Sequence, residues 1–235
     1  MNIYRLIVLG VLIAFLVATG ETSVQVYNIF ASKNPSYGVY CAKNGEVYVV
    51  LQGSGQLMAL KGNGTALTVN LHSYSGTVPF RITAGGGYLY VVYQKGPLPQ
   101  LNLNGQVVKN YTIPHVAKYP AITCADGYVA VTASYGNALY FISNDEVKKV
   151  NVVSRPQALA YDNYTSVVYV GAYQSNVIEG ISPSSFRVVE NFTINGTTVD
   201  AMAFVPPHVL AIATYEQQVE FVNLLTYSQP CEGSA

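Results

Sequence analysis

Tryptophan is absent from this sequence, charge is scarce, and neither sign of charge prevails. Lys and Arg number 12, Asp and Glu number 12, and together they make up only a tenth of the chain. So even a balance gives no basic field to hold a phosphate backbone, so nucleic acid is excluded as an expected partner. A membrane is expected only through an apolar segment. Histidine is equally sparse. His72, His115 and His208 fall at the end of one β-rich run, in the loop after another, and in a hairpin turn. Metal sites in repeated architectures draw on equivalent positions, so this scatter assigns no metal site and no cofactor.

Cysteine is limited to Cys41, Cys124 and Cys231. An odd count allows at most one internal disulfide, and three pairings stay open. No CxxC spacing occurs, so the expectation is one structural bridge and one buried thiol. The sequence also lacks a G-x-S-x-G elbow, a phosphate-binding loop and an acidic calcium loop. Asp126 and Asp162 read as turn residues. Asp200 is the one carboxylate expected to face a central channel. Its counterparts in the other repeats are Ser36, Pro79, Pro120 and Gln157, so the carboxylate pair that glycoside hydrolysis needs is missing. No residue is assigned a catalytic role.

What the chain does have is a leader and a repeat. Arg5 precedes an apolar run over 6–18, broken only by Gly10, and Ala18-Thr19-Gly20 has the small-x-small spacing of an export cleavage site. The run is short for a bilayer span, which takes about 20 apolar residues. Residues 1–20 are therefore read as a signal peptide, with a retained N-terminal anchor as the alternative. Five N-x-[ST] sequons, at Asn63, Asn110, Asn163, Asn191 and Asn195, agree with export and N-glycosylation.

A β-rich segment recurs at roughly 40-residue intervals, the period of a four-stranded propeller blade. Its copies are VYVV at 47–50, LYVV at 89–92, VAVT at 129–132, VYVG at 168–171 and LAIA at 210–213. Each follows a short apolar run and a tight turn such as Asn44-Gly45, Gly86-Gly87 or Asp126-Gly127, the mark of a β-hairpin. A second set of runs carries a central Asn: ALTVNLH at 66–72, VVKNYTI at 107–113, VKKVNVV at 147–153 and VVENFTI at 188–194. The fifth member, VQVYNIF at 24–30, lies at the other end of the chain, and the last repeat has none of its own. The expected fold is therefore all-β, a five-bladed propeller over 21–227 closed by an N-terminal strand that completes the last blade, with a tail at 228–235.

One repeat carries a specific likeness. RPQALAYD at 155–162, SVVYVGAYQSNVI at 166–178 and SPSSFRVV at 182–189 resemble the YVTN repeat of archaeal surface-layer propellers. Gly171 or Ala172 stands where that pattern has Asn, and the other repeats keep only its outline. The resemblance implies architecture and a cell-surface setting and carries over no catalytic residue.

Tyrosine is the remaining candidate for function. Tyr93, Tyr135, Tyr173 and Tyr215 follow the second strand of their repeats and are expected, with Asp200, on one face of the disc. The irregular stretch 92–99 is also a candidate contact surface. The reading is a non-enzymatic extracellular binding or surface-assembly module whose partner is a protein or glycan. Two alternatives stay open: an extracytoplasmic hydrolase or lyase acting on a sugar or lactone, and a membrane-anchored subunit of a surface lattice or filament.

Overall fold

The computed structural model describes residues 46–61, 65–72, 74, 77–114, 119–143 and 146–226, and the backbone of three earlier strands. β1 (Leu12–Leu16) and β2 (Val24–Asn28) form a two-stranded antiparallel pair. Five antiparallel meanders follow. The first sheet holds β3 (Ser36–Cys41), β4 (Val47–Leu51), β5 (Gln56–Leu60) and β6 (Ala66–Asn70). The second holds β7 (Pro79–Gly85), β8 (Tyr88–Tyr93), β9 (Leu98–Leu101) and β10 (Val107–Tyr111). The third holds β11 (Ile122–Ala125), β12 (Tyr128–Ala133), β13 (Ala138–Ser143) and β14 (Glu146–Asn151). The fourth holds β15 (Pro156–Asp162), β16 (Val167–Ala172), β17 (Val177–Ser182) and β18 (Arg187–Thr193). The fifth has three strands: β19 (Val199–Val205), β20 (Val209–Thr214) and β21 (Val219–Asn223).

Local chemistry accounts for these boundaries. Val, Ile, Tyr and Thr fill the strands, where their branched or aromatic side chains pack on a pleated surface. The β7–β8 and β11–β12 hairpins turn on Gly86, Gly87, Asp126 and Gly127, all with positive φ, a conformation that glycine and Asp adopt at low cost. In the first four sheets the second strand is fully buried on both faces or nearly so, as in β4, β12 and β16, whereas β20 of the fifth alternates between buried and half-buried. The outermost strands β6, β10, β14 and β18 are mostly exposed.

Alternate faces of each sheet meet successive neighbours. Tyr48, Val50 and Leu57 of the first sheet pack with Ile82, Leu89 and Val91 of the second. Tyr90, Val92 and Leu98 on the second sheet's other face pack with Val131, Tyr140 and Ile142 of the third. Leu139 and Phe141 meet Leu159, Val168 and Ile181 of the fourth, and Tyr169 and Ile178 meet Val199, Leu210 and Ile212 of the fifth. An aromatic trio seals the third junction, with Phe141 5.6 Å from Phe186 and 6.1 Å from Tyr128. Polar ties reinforce two junctions: the Glu179 carboxylate accepts from the Val153 amide at 2.6 Å, and Glu220 accepts from the Asn195 and Gly196 amides.

The innermost strands pack in chain order, β3 on β7, β7 on β11, β11 on β15 and β15 on β19. Four of the five share one irregularity, a register shift after their first residue that leaves Tyr37, Phe80, Gln157 and Asp200 unpaired. Such a bulge re-aims a side chain at a strand end.

The fifth sheet departs from the others. Its inner strand alternates between half-buried Met202 and Phe204 and exposed Ala201, Ala203 and Val205. On its last strand Phe221 is 71% and Val219 50% exposed. On the first sheet, Val47, Val49, Leu51 and Met58 form a buried cluster of their own on the face turned from the second sheet. The segment expected to complete the fifth sheet, β2, pairs instead with β1. The reason is local: β1 is an apolar strand that a short connection, 17–23, delivers to it, whereas β21 lies at the far end of the chain, and loop closure favours the nearer partner.

Phe141 is fully buried among aromatic rings, so Phe141→Ala is expected to cost about 3–5 kcal/mol in urea unfolding. Phe221→Ser, on the exposed face, is expected to change stability by less than about 0.5 kcal/mol.

Candidate functional site

Strand direction alternates within a meander, so the start of the first strand, the end of the second, the start of the third and the end of the fourth share one end of every sheet. At that end, between the third and fourth sheets, lies a cavity of about 420 Å³. The β12–β13 turn contributes Ser134, Tyr135 and Asn137, and the β16–β17 turn contributes Tyr173. The β14–β15 connection supplies Ser154 and Arg155, β15 supplies the bulged Gln157, and Tyr119 enters from the segment before β11.

The walls are held by hydrogen bonds that leave particular atoms free. Asn137 sits in the left-handed region, with φ 47°, and its Oδ1 accepts from the Arg155 amide at 3.0 Å and the Ser154 hydroxyl at 3.4 Å. Ser134 donates to the Pro156 carbonyl. The Arg155 guanidinium donates through Nη1 to Gln174 Oε1 at 2.7 Å and lies 5.8 Å from the Tyr173 ring centre. Gln157 is buried and donates to the Val199 carbonyl at 2.8 Å and to Asp200 Oδ1 at 3.4 Å.

Through Gln157 the cavity borders β19, the first strand of the fifth sheet. Burial pulls the Arg81 guanidinium below its ordinary pKa, and the charge of Asp200 opposes that shift. Arg81 belongs to the second sheet and Asp200 to the fifth, so the two charges face one another across the inner strands. The sequence reading missed Arg81. The signal was present: the residue after the bulge is Gly38, Ala158 and Ala201 in three other sheets and the equivalent Ala121 in the third, all small, whereas here it is Arg.

The expected binding-face residues divide. Tyr135, 71% exposed, and Tyr173 line the cavity, and Tyr215, 72% exposed, occupies the matching turn of the fifth sheet. Tyr93 is buried; it donates to the His72 carbonyl at 3.0 Å and packs edge-on to Tyr74, so it holds a wall rather than meeting a ligand. The cavity forms away from the stretch 92–99. Asp162 accepts from the Tyr164 and Thr165 amides in its turn. Among the described residues no group of three His, Cys, Asp or Glu could hold a metal ion.

Of the sequons, Asn110, Asn163, Asn191 and Asn195 are exposed, and Asn63 lies outside the described residues. Cys124 is a free thiol, which burial pushes up to about 11. The side chains of Cys41 and Cys231 lie outside the described residues.

Two outcomes follow. Asp200→Ala removes the negative charge that favours the half-buried Arg81 guanidinium and should cost about 1 kcal/mol, with Arg81→Ala in the same chain recovering part of the loss in a double-mutant cycle. At pH 8 a thiol at about 11 carries about 100-fold less thiolate than an ordinary cysteine, so Cys124 should alkylate far more slowly in the folded protein than in urea. The raised value also makes this thiol's contribution to stability complete below about pH 9, its ordinary value, and lost as pH rises through about 11.

No protein-family model matches the chain, and no curated protein sequence does. Solved structures do. A streptogramin B lyase superimposes with TM-score 0.68 at 15% identity, covering 86% of this chain and 73% of that one. A catalytically inactive histidine-to-alanine variant of virginiamycin B lyase from Staphylococcus aureus, with quinupristin, matches at TM-score 0.68 and 16% identity over 87% of this chain and 75% of that one. The Neurospora crassa Pan2 WD40 domain matches at TM-score 0.66 and 10% identity over 83% and 64%. Identities this low speak to fold alone. Together with five successive antiparallel sheets, they establish that this chain has a β-propeller fold.

Proposed function

We propose that this protein is an exported, N-glycosylated, non-enzymatic binding module of the cell surface, and that the cavity between the third and fourth sheets is its ligand site. One observation carries the reading. The cavity gathers three tyrosines, an arginine and several amide and hydroxyl groups, and its described lining residues include no His, Asp or Glu. That is the composition of a recognition surface, in which aromatic faces and hydrogen bonds hold a partner. A hydrolase or lyase on this fold would instead need an acid and a base within reach of the ligand. The lyase neighbours supply shape and no residue set.

The same reading takes the ring to be five-bladed and closed by 24–30. The cleavage motif at 18–20 lies in the connection between β1 and β2. Cleavage there removes Leu12–Leu16 and leaves Val24–Asn28 without its partner, and the fifth sheet has three strands where the others have four. The YVTN-like repeat supports a surface-layer setting, and retention of residues 1–20 would make the molecule an anchored subunit instead.

Mass spectrometry of protein from its native cells is expected to find an N-terminus near Glu21 and glycans on exposed sequons such as Asn163. An intact Met1 with bare asparagines and free thiols would remove the exported reading. For the site, Tyr135→Ala with Tyr173→Ala is expected to abolish retention on the native cell surface while leaving the melting temperature within a few degrees.

A further inference from the structure

The hydrogen bonds around the cavity are lopsided, and the imbalance specifies a ligand. Asn137 spends both lone-pair directions of Oδ1 on Arg155 and Ser154, which turns its Nδ2 group into a donor with no protein partner among the described residues. Arg155 spends Nη1 on Gln174, and its remaining N–H groups stay available on a guanidinium that is exposed to solvent and lies against Tyr173. The hydroxyls of Tyr135 and Tyr173 add two more groups able to donate. The acceptor side is thin: Gln157 uses its amide nitrogen on Val199 and Asp200, leaving Oε1, and none of the described lining residues is a carboxylate. Wall chemistry of this kind suits a ligand that brings acceptors and a negative charge, together with a flat apolar face for the tyrosine rings.

Volume narrows the class. About 420 Å³ falls in the range of small-ligand pockets and is open toward solvent through the exposed Tyr135. A pyranose presents a C–H face to an aromatic ring, and an equatorial carboxylate places two oxygens where a guanidinium fork and an amide N–H₂ can meet them. Resting on the reading of this cavity as the ligand site, we propose that its ligand is an acidic glycan, a chain containing hexuronic acid. In this assignment Arg155 and Asn137 hold the carboxylate, and Tyr135 and Tyr173 stack on the ring. The protein would then attach to uronate-bearing polysaccharide and ignore its neutral counterpart.

Two probes isolate the charge: a galacturonic acid trisaccharide and its methyl ester, which keeps the rings and removes the carboxylates. By titration calorimetry on the full chain, the acid is expected to bind at least 10-fold more tightly than the ester and to weaken as salt rises. Asn137→Asp keeps the acceptor that orders Ser154 and Arg155 and reverses the free end from donor to acceptor. It is expected to weaken the acid at least 10-fold and to leave the ester within 3-fold. Arg155→Met should act in the same direction, and Arg155→Lys should restore only part, since lysine carries the charge without the fork. A melting curve on each variant separates binding loss from unfolding. Equal binding of acid and ester, unmoved by Asn137→Asp, would overturn the acidic class and leave the cavity as a sugar site. No binding of either, at millimolar sugar, would overturn this proposal, and the ligand-site reading would then stand or fall on the surface-retention test of Tyr135→Ala with Tyr173→Ala.

Discussion

A sheet with two apolar faces has to be covered twice, and every other feature of this molecule answers to that requirement. The second strands of the first four sheets, buried on both sides, make it unavoidable: Val49 and Val50 are neighbours in sequence, point in opposite directions, and are both shielded from water. A sandwich covers one face of each sheet. Consecutive sheets that share faces in turn, first with second and second with third, cover both and spread the hydrophobic stabilisation over many modest junctions. The chain can therefore afford its scarcity of charge, because ion pairs are not what orders the sheets.

Much of this arrangement was legible in the sequence, because strand period, turn chemistry and repeat length are local properties. The five segments beginning at Val47, Leu89, Val129, Val168 and Leu210 are strands, and the Asn-centred runs from Ala66 to Thr193 are the outer edges of four sheets. Pairing across the chain was less legible. Val24–Asn28 has the pattern of an outer strand, but pattern does not choose between two apolar partners, and the one found is the nearer in sequence. Tyr135, Tyr173 and Tyr215 could be placed because a residue after the second strand must lie on the loop face. Tyr93 is the last residue of β8, in the register position of Ala172 and Thr214 and one step short of the turn that holds Tyr173 and Tyr215, and like those two strand residues it is buried, here under Tyr74 and His72. Arg81 escaped notice because charge was sought in clusters rather than as one large residue at a position reserved for small ones.

The cavity owes its form to the same repetition. Short turns on stiff strands hold Asn137 in a left-handed conformation, where its side chain fastens the next connection, so the polar groups of the site are fixed before a ligand arrives. Such preorganisation spares the ordering cost that a mobile loop would impose on binding. The repeated bulge adds a separate effect. In four of the five inner strands it turns one residue out of the pairing ladder. Phe80, Gln157 and Asp200 occupy three of these positions with an aromatic, an amide and a carboxylate.

Every sheet is made of strands consecutive in the chain, and each of the four shared junctions joins consecutive sheets. Contacts therefore span little more than two repeats, and contact order stays low for an all-β protein of this size. A chain emerging from its N-terminus can build the sheets in succession, each one docking on a template already formed, with no need to wait for the rest. The fifth sheet is where this succession stops: among the described residues its last strand leaves Val219 and Phe221 exposed, so it is the one sheet with no later template docked upon it.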